Sequence, residues 1–388
     1  MSSNVNLKQL RPVMLVAGLL GTLPVTGWAA SGEKSSSSVL SQLLNQSESA
    51  AGFESASSAY RLRFPRDHLS HNRFSIEWWY LTANLKARDT GEHYGIQFTI
   101  FRRGLSAKHS AQNAWQMPQL YMGHMALTDT TAKQHRSVQR FSRQGPGLAG
   151  TAAKPLSIWL EDWEIKAAQN DQLFPATLSA RDAEQQFGYR LQLTPSKRLL
   201  LQGDQGYSTK HAGSGIASHY YSYTRLEAKG ELWVDQRMVS VEGTAWYDHE
   251  WTSGTLDDSQ VGWDWFALQL EDGRDLTVIR LRDRARTKDD YWQLSMADAD
   301  GTPVKLDASG LKLQVTDHWQ SDDGVRYPSG WRLQLDSPEL NLEIRPRLAD
   351  QEMRHMVRYW EGAVKVSGSH SGQGYVELTG YDQKAQTD

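Results

Sequence analysis

An all-β chain of two consecutive antiparallel β-barrels is what this sequence predicts, and three observations predict it. Apolar and polar residues alternate with a period of two along one stretch after another. The aromatic stock is large, with 15 Trp, 15 Tyr and 9 Phe, side chains that favour strands and fill wide interior faces. One hairpin pattern occurs twice. At 388 residues the chain is too long for a single ordinary core, so two are expected.

Taken in order, the chain opens on a leader. Lys8 and Arg11 supply a basic start, Val13 to Leu23 a short apolar run, and Gly27-Trp28-Ala29 or Ala29-Ala30 a small-residue cleavage point. The run is too short to span a bilayer, so residues 1–30 read as a signal peptide and the mature protein as periplasmic or secreted. Residues 31–58, rich in Ser, Gln and Ala, read as a flexible spacer. The folded part is expected from about Tyr60, with a first barrel over 59–250 and a second over 251–388.

Strand patterns then follow one another. Tyr94, Ile96, Phe98 and Ile100 alternate with His93, Gly95, Gln97 and Thr99; Tyr189, Leu191 and Leu193 alternate with Arg190, Gln192 and Thr194. The same period runs through 311–316, 331–336 and 340–345. Each is a strand with one dry and one wet face. Helical periodicity is scarce, and Leu348 to Val357 is its best candidate. The repeated hairpin is Glu77-Trp78-Trp79-Tyr80-Leu81-Thr82-Ala83-Asn84-Leu85 against Gly262-Trp263-Asp264-Trp265-Phe266-Ala267-Leu268-Gln269-Leu270. Each copy continues to a turn glycine (Gly91, Gly273) and a second strand ending in Arg (Arg102, Arg282). Thr252 to Gln260 has linker composition and lies between the copies.

Composition excludes several functions. A net charge of -3 gives no basis for binding nucleic acid or an anionic membrane surface. Without cysteine there is no disulfide, thiol catalysis or lipoprotein anchor. No phosphate loop or dinucleotide fingerprint occurs, and Gly368-Ser369-His370-Ser371-Gly372 has His where the nucleophile of a hydrolase elbow would stand.

Three clusters can carry chemistry. His68 and His71 precede Glu77-Trp78-Trp79-Tyr80. Two imidazoles and a carboxylate suit a metal half-site, or a hydrogen-bonded loop at a barrel mouth; no second His pair supports the metal, and none is expected. Trp246-Tyr247-Asp248-His249-Glu250-Trp251 sets three titratable groups among aromatics. On a strand Asp248 and Glu250 share one face and His249 takes the other. A carboxyl among aromatics is a candidate general acid, since burial disfavours its charge; the alternative is a buried polar network with a structural role. Tyr359-Trp360-Glu361-Gly362 and Gly374 to Tyr381 read as closing strands of the second barrel. Asp248, His249 and Glu250 are therefore the catalytic candidates. The ligand-binding candidates are His71, Glu77, Trp78, Trp79, Tyr80, Gln97, His124, Tyr221, Trp246, Trp251, Trp263, Trp265 and Trp360, expected to line aromatic interiors.

The segments around His71, Glu77–Tyr80, Trp246–Trp251, Gly262–Trp265, Tyr359–Gly362 and Gly374–Tyr381 resemble the AttH and carotenoid 1,2-hydratase-like family, also called secreted hydrolases, from about Tyr60 to Tyr381. The resemblance implies a pair of lipocalin-like (calycin) barrels. It implies either an exported binder of a hydrophobic, lipid- or isoprenoid-like molecule that serves an ABC-type lipid or lipoprotein transporter, or a cofactor-independent hydratase of an apolar alkene in which Asp248 inherits the proton-donor role. The Asp-His-Glu-Trp version of the motif and the leader favour the AttH-like branch. Hydrolysis is the weaker alternative.

Overall fold

The computed structural model describes residues 52–382 apart from 108–117, 212–214, 255, 257–258, 285–289 and 307. The expected leader, and most of the expected spacer, lie outside the described residues. All regular structure is β apart, among the described residues, from two single helical turns at Arg66–His68 and Ala308–Gly310.

The first sheet holds thirteen strands. Its leading elements are β1 (Ile76–Ala87), β2 (His93–Gly104), β3 (Gln119–Asp129) and β4 (Gln134–Arg143), followed by the short β5 (Ala149–Ala153), β6 (Leu156–Leu160) and β7 (Trp163–Ala167). It continues through β8 (Ala176–Asp182), β9 (Phe187–Pro195), β10 (Leu200–Leu201) and β11 (Tyr207–Thr209) to the long β12 (Ala217–Val234) and β13 (Arg237–Thr252). The order is β4-β3-β2-β1-β13-β12-β9-β8-β7-β6-β5, antiparallel throughout, with β10 and β11 also on β12. The last strand thus returns to lie beside the first. Side chains tie the β4 edge across to the β6–β8 strands: Arg140 of β4 pairs with Asp162 and Asp182 and stacks on Trp163 at 4.4 Å.

The second sheet has ten strands: β14 (Gln260–Leu270), β15 (Asp275–Asp283), β16 (Tyr291–Ala297), β17 (Pro303–Val304), β18 (Lys312–Gln320), β19 (Arg326–Asp336), β20 (Glu339–Pro346), β21 (Glu352–Arg354), β22 (Arg358–Gly368) and β23 (Gly372–Thr379). Its order is β17-β16-β15-β14-β23-β22-β20-β19-β18. Again the last strand pairs with the first. The repeated sequence pattern is the opening hairpin of each sheet, β1–β2 and β14–β15, turning at Gly91 and Gly273, whose φ of +75° and +92° favour glycine.

The segment 348–357 is not helical. Gln351 is fully buried; its amide donates to the carbonyls of Leu348 and Ala363 and accepts from the Ala363 N–H, which lays the segment out flat beside β22 as β21. Met353 and Val357, whose spacing suggests a helical stripe, pack instead on Ala126 and Tyr359.

The interiors also differ from expectation. Inside the first sheet Trp79, Leu81, Phe98, Trp163, Tyr189, Tyr247 and Trp251 belong to one packed cluster, and inside the second Phe266, Trp331, Trp360 and Leu378 belong to another. Neither of the two clefts described below lies in these interiors. A third cluster, with Tyr80, Tyr220, Trp246, Trp265, Ala363 and Tyr375, joins the outer faces of the two sheets. The open space lies there, because β1, β13, β14 and β23 are covered on both faces and their outward aromatics leave gaps where they meet. Polar stitches fix the two sheets together: Lys197 and Arg225 of the first hold Asp275 of the second at 2.7 and 2.6 Å, and Asn84 donates to the Gly374 carbonyl at 3.1 Å.

Candidate functional site

Strand alternation divides the sequence candidates between two places. On β13, Trp246, Asp248 and Glu250 point outward to the space between the sheets, while Tyr247, His249 and Trp251 point into the first barrel. On β1, Trp78 and Tyr80 point outward and Glu77 and Trp79 inward. The registers set Tyr80 and Ser222 on either side of Asp248, and Trp78 and Tyr220 on either side of Glu250.

The inward set is a closed polar network. Glu77 is fully buried; one carboxylate oxygen accepts from Arg102 Nε at 2.7 Å and the other lies 2.7 Å from His71 Nδ1 and 2.8 Å from His249 Nε2. His249 continues to the Tyr221 hydroxyl at 3.1 Å, and that hydroxyl to His68 Nδ1 at 2.7 Å. His71 stacks on Trp251 at 3.7 Å. Burial opposes the charge on Glu77, but Arg102 and His71 outweigh it and hold the carboxyl well below its usual range. Burial likewise opposes charge on His71, and Glu77 and Asp67 raise it nonetheless. Burial carries His249 down to about 4 and His68 to about 3. The His71–Glu77–His249 atoms lie within 4.8 Å of one another, a donor set of the kind zinc takes. Yet both nitrogens already sit at hydrogen-bond distance from one oxygen, and the permanent cation of Arg102 occupies the other. The group fits a structural ion network better than a metal centre.

The outward set faces a cleft of about 760 Å³, open mouth included. A second hollow of about 630 Å³ shares Phe101, Trp263, Tyr359 and Glu377 with it, so the two adjoin as parts of one groove. The first sheet contributes Trp78, Tyr80, Phe101, Lys210, Tyr220, Asp248 and Glu250, and the second Trp263, Trp265, Ile279, Leu281, Tyr359, Glu361 and Glu377.

Asp248 is almost wholly buried and takes three donors: Ser222 Oγ at 2.5 Å and Trp246 Nε1 at 2.8 Å on one oxygen, Tyr220 Oη at 3.0 Å on the other. Trp265 Nε1 in turn donates to Tyr220 Oη at 3.3 Å, which fixes the direction of that hydroxyl. Burial dominates these donors and pushes Asp248 up to about 7, so near neutrality it keeps a proton to give. Glu250 instead pairs with Lys210 at 2.5 Å. From the second sheet, Glu361 and Glu377 stand directly opposite each other on β22 and β23. Burial, then Glu377 beside it, raises Glu361 well above the usual range; burial raises Glu377 to about 8.

Of the sequence candidates, the cleft therefore gathers Trp78, Tyr80, Asp248, Glu250, Trp263 and Trp265, while Trp246 packs in the cluster between the sheets and donates to Asp248. His124 stands behind its wall, bonded through Nδ1 to the Tyr359 hydroxyl at 2.7 Å. Gln97, on the same outward face of β2, donates to Thr99 Oγ1 at 2.7 Å. His71, Glu77, Trp79, Tyr221, His249 and Trp251 belong to the first interior, and Trp360 packs inside the second. Sequence reading missed Glu361, Glu377 and Lys210 as lining groups. Period-two alternation around Trp360 and Val376 puts both glutamates on the face opposite the core residues, a signal that needs the pairing of β22 with β23 before it means anything.

The AttH-like family matches residues 55–381. The chain is a member of the AttH-like family. A protein assigned as AttH from Nitrosomonas europaea shares 31% identity with this member, over 85% of this chain and 100% of that one, with a TM-score of 0.74. Kievitone hydratase from Nectria haematococca superposes with a TM-score of 0.65 over 85% of this chain and 97% of its own, at 14% identity, a likeness of fold. No curated protein matches in sequence.

Proposed function

We propose that this AttH-like protein takes an apolar small molecule into the cleft between its barrels and transfers a proton to it from Asp248, as a cofactor-independent catalyst of the hydro-lyase or isomerase class. The observation that carries this is a carboxyl kept protonated near pH 7 by burial, aimed at an aromatic-walled hollow. The Asp248 proton goes to one carbon of a C=C bond, forming a C–H bond and leaving positive charge on the other carbon. Tyr80, Trp263 and Trp265 line the same cleft, and aromatic faces attract such charge. Water adds to the cation and returns a proton to the Asp248 carboxylate, which restores the acid; loss of a neighbouring proton instead gives an isomer. A hydratase on the same fold supports this reading by analogy.

The test is incubation with isoprenoid alkenes in D2O. The wild type is expected to place one deuterium on carbon, and Asp248→Asn to lose this while ligand still quenches the cleft tryptophans. Equal incorporation by the variant sinks the proposal. Loss of folding together with binding assigns Asp248 to the scaffold instead.

The leader pattern favours a second reading, that of an exported periplasmic carrier which delivers a hydrophobic ligand to a membrane transporter of the ABC type. Burying roughly 300 Å² of apolar ligand at about 25 cal/mol per Å² is worth roughly 7 kcal/mol before association costs, enough for a carrier. Recovery of bound lipid from periplasmic protein with no deuterium incorporation favours this reading.

A further inference from the structure

The cleft holds two buried polar atoms that lack a well-formed hydrogen bond in the protein. Tyr80 Oη and Glu361 Oε1 are buried, on residues 6% and 2% exposed, and neither makes a hydrogen bond of good geometry, although the two groups lie close enough to interact with each other. Both residues line the hollow, one from each sheet. Leaving such groups dry costs about 1–3 kcal/mol apiece, so a bound molecule that satisfies them gains that much selectivity. Around them the acidic groups are protonated or paired. Asp248, Glu250, Glu361 and Glu377 line the space, and the single basic side chain among its described lining residues, Lys210, is engaged with Glu250 at 2.5 Å.

We infer that Tyr80 and Glu361 form the subsite for one neutral oxygen of the ligand, a hydroxyl or carbonyl on an otherwise hydrocarbon body, and that the cleft rejects anionic amphiphiles such as fatty acids and lipid phosphates. A hydroxyl accepts from one of the two groups and donates to the other. A carboxylate in the same place is desolvated with no unpaired cation among the cleft's own described lining residues to meet it, which is the costly case for a buried charge; Arg102 and Arg103 line the adjoining hollow instead. Glu361 and Glu377 hold their protons near neutrality, so Glu361 is able to donate as well as accept. This inference rests on the cleft being the ligand site, and names the class of ligand that site takes.

Three probes of one chain length separate the possibilities: farnesene, farnesol and farnesoate, titrated into the full protein at pH 7 by tryptophan quenching. Farnesol is expected to bind at least about ten-fold tighter than farnesoate and more tightly than farnesene, a gap of about 1.4 kcal/mol or more. Tyr80→Phe and Glu361→Gln are each expected to weaken farnesol about five-fold, one hydrogen bond's worth, and to leave farnesene unchanged. Tyr80→Phe deletes a hydroxyl whose contact with Glu361 falls short of a well-formed hydrogen bond, so its melting curve is expected to stay close to the wild type and the comparison holds even where Glu361→Gln unfolds. Farnesoate binding as tightly as farnesol overturns the inference, as does a farnesol-over-farnesene preference that survives Tyr80→Phe. Binding of none of the three removes the ligand-site reading beneath it too. Asp248→Asn is expected to keep the order of the three affinities, so a failure of proton transfer and a failure of this subsite appear in different measurements.

Discussion

Replacing Asp248 by Asn makes the protein more stable relative to wild type as the pH rises, because the carboxyl it removes loses its proton only at a cost. In the unfolded chain the group titrates near 3.8; in the fold burial pushes it to about 7. A raised acid binds its proton more tightly when folded, so wild-type stability falls as pH climbs from the unfolded value to the folded one and is level above that. At about 1.36 kcal/mol per pKa unit, the whole shift corresponds to roughly 4 kcal/mol, of which about 2.5 kcal/mol develops between pH 5 and pH 8. Asparagine has no such dependence. Its oxygen keeps the Ser222 and Trp246 hydrogen bonds, but its NH2 meets the Tyr220 hydroxyl, already directed by Trp265, at a constant cost of about 1 kcal/mol. Urea unfolding of both proteins at pH 5 and pH 8 is therefore expected to show the variant less favoured at the lower pH and gaining roughly 2.5 kcal/mol on wild type by the higher one. A variant-minus-wild-type difference that is flat across that range would falsify a protonated Asp248, and with it the proton donor of the proposed reaction.

Three further outcomes follow from the geometry. Glu77→Gln strands the fully buried Arg102 and is expected to cost about 3–5 kcal/mol at pH 7 by urea unfolding. Because Glu77 is held below its ordinary 4.5, its contribution is present above that value and fades as pH drops toward its folded pKa, so the deficit is expected to shrink in acid. Gly95→Ala sets a Cβ at 2.6 Å from Tyr375 Oη and 2.9 Å from Ala363 Cβ, forcing the sheets apart, and is expected to cost roughly 1–3 kcal/mol by thermal melting. Tyr359→Phe leaves buried His124 Nδ1 without a partner, with an expected loss of about 1–3 kcal/mol; burial keeps His124 neutral, so that loss is expected to be the same at pH 6 and pH 8.

The strand content was legible because alternation is a local property: Tyr189, Leu191 and Leu193 are buried on β9 and Arg190, Gln192 and Thr194 exposed. The doubled hairpin was legible for the same reason. The place of the hollow was not. Glu77-Trp78-Trp79-Tyr80-Leu81 carries bulky groups at consecutive positions, and a strand with no wet face is one covered on both sides. That pattern announces a second layer over β1 without saying which element supplies it, since the register of one barrel against another is written in no short stretch. For the same reason His249 and Asp248, neighbours in sequence and alike in polarity, belong to separate networks divided by the thickness of one strand. The segment 348–357 misled through its apolar spacing; the deciding residue there is Gln351, whose amide mimics a strand partner.

The two walls of the groove come from different sheets. Asp248 hangs from β13 of the first, held by its own neighbours on β12, whereas Glu361, Glu377, Trp263 and Trp265 descend from the second. The proposed donor thus sits on the first sheet, and the recognition surface is shared between the two. Changes on β22 and β23 reshape the wall facing the ligand without touching the Ser222, Trp246 and Tyr220 hydrogen bonds to Asp248, whereas a change at Trp265 on β14 reaches that carboxyl through Tyr220.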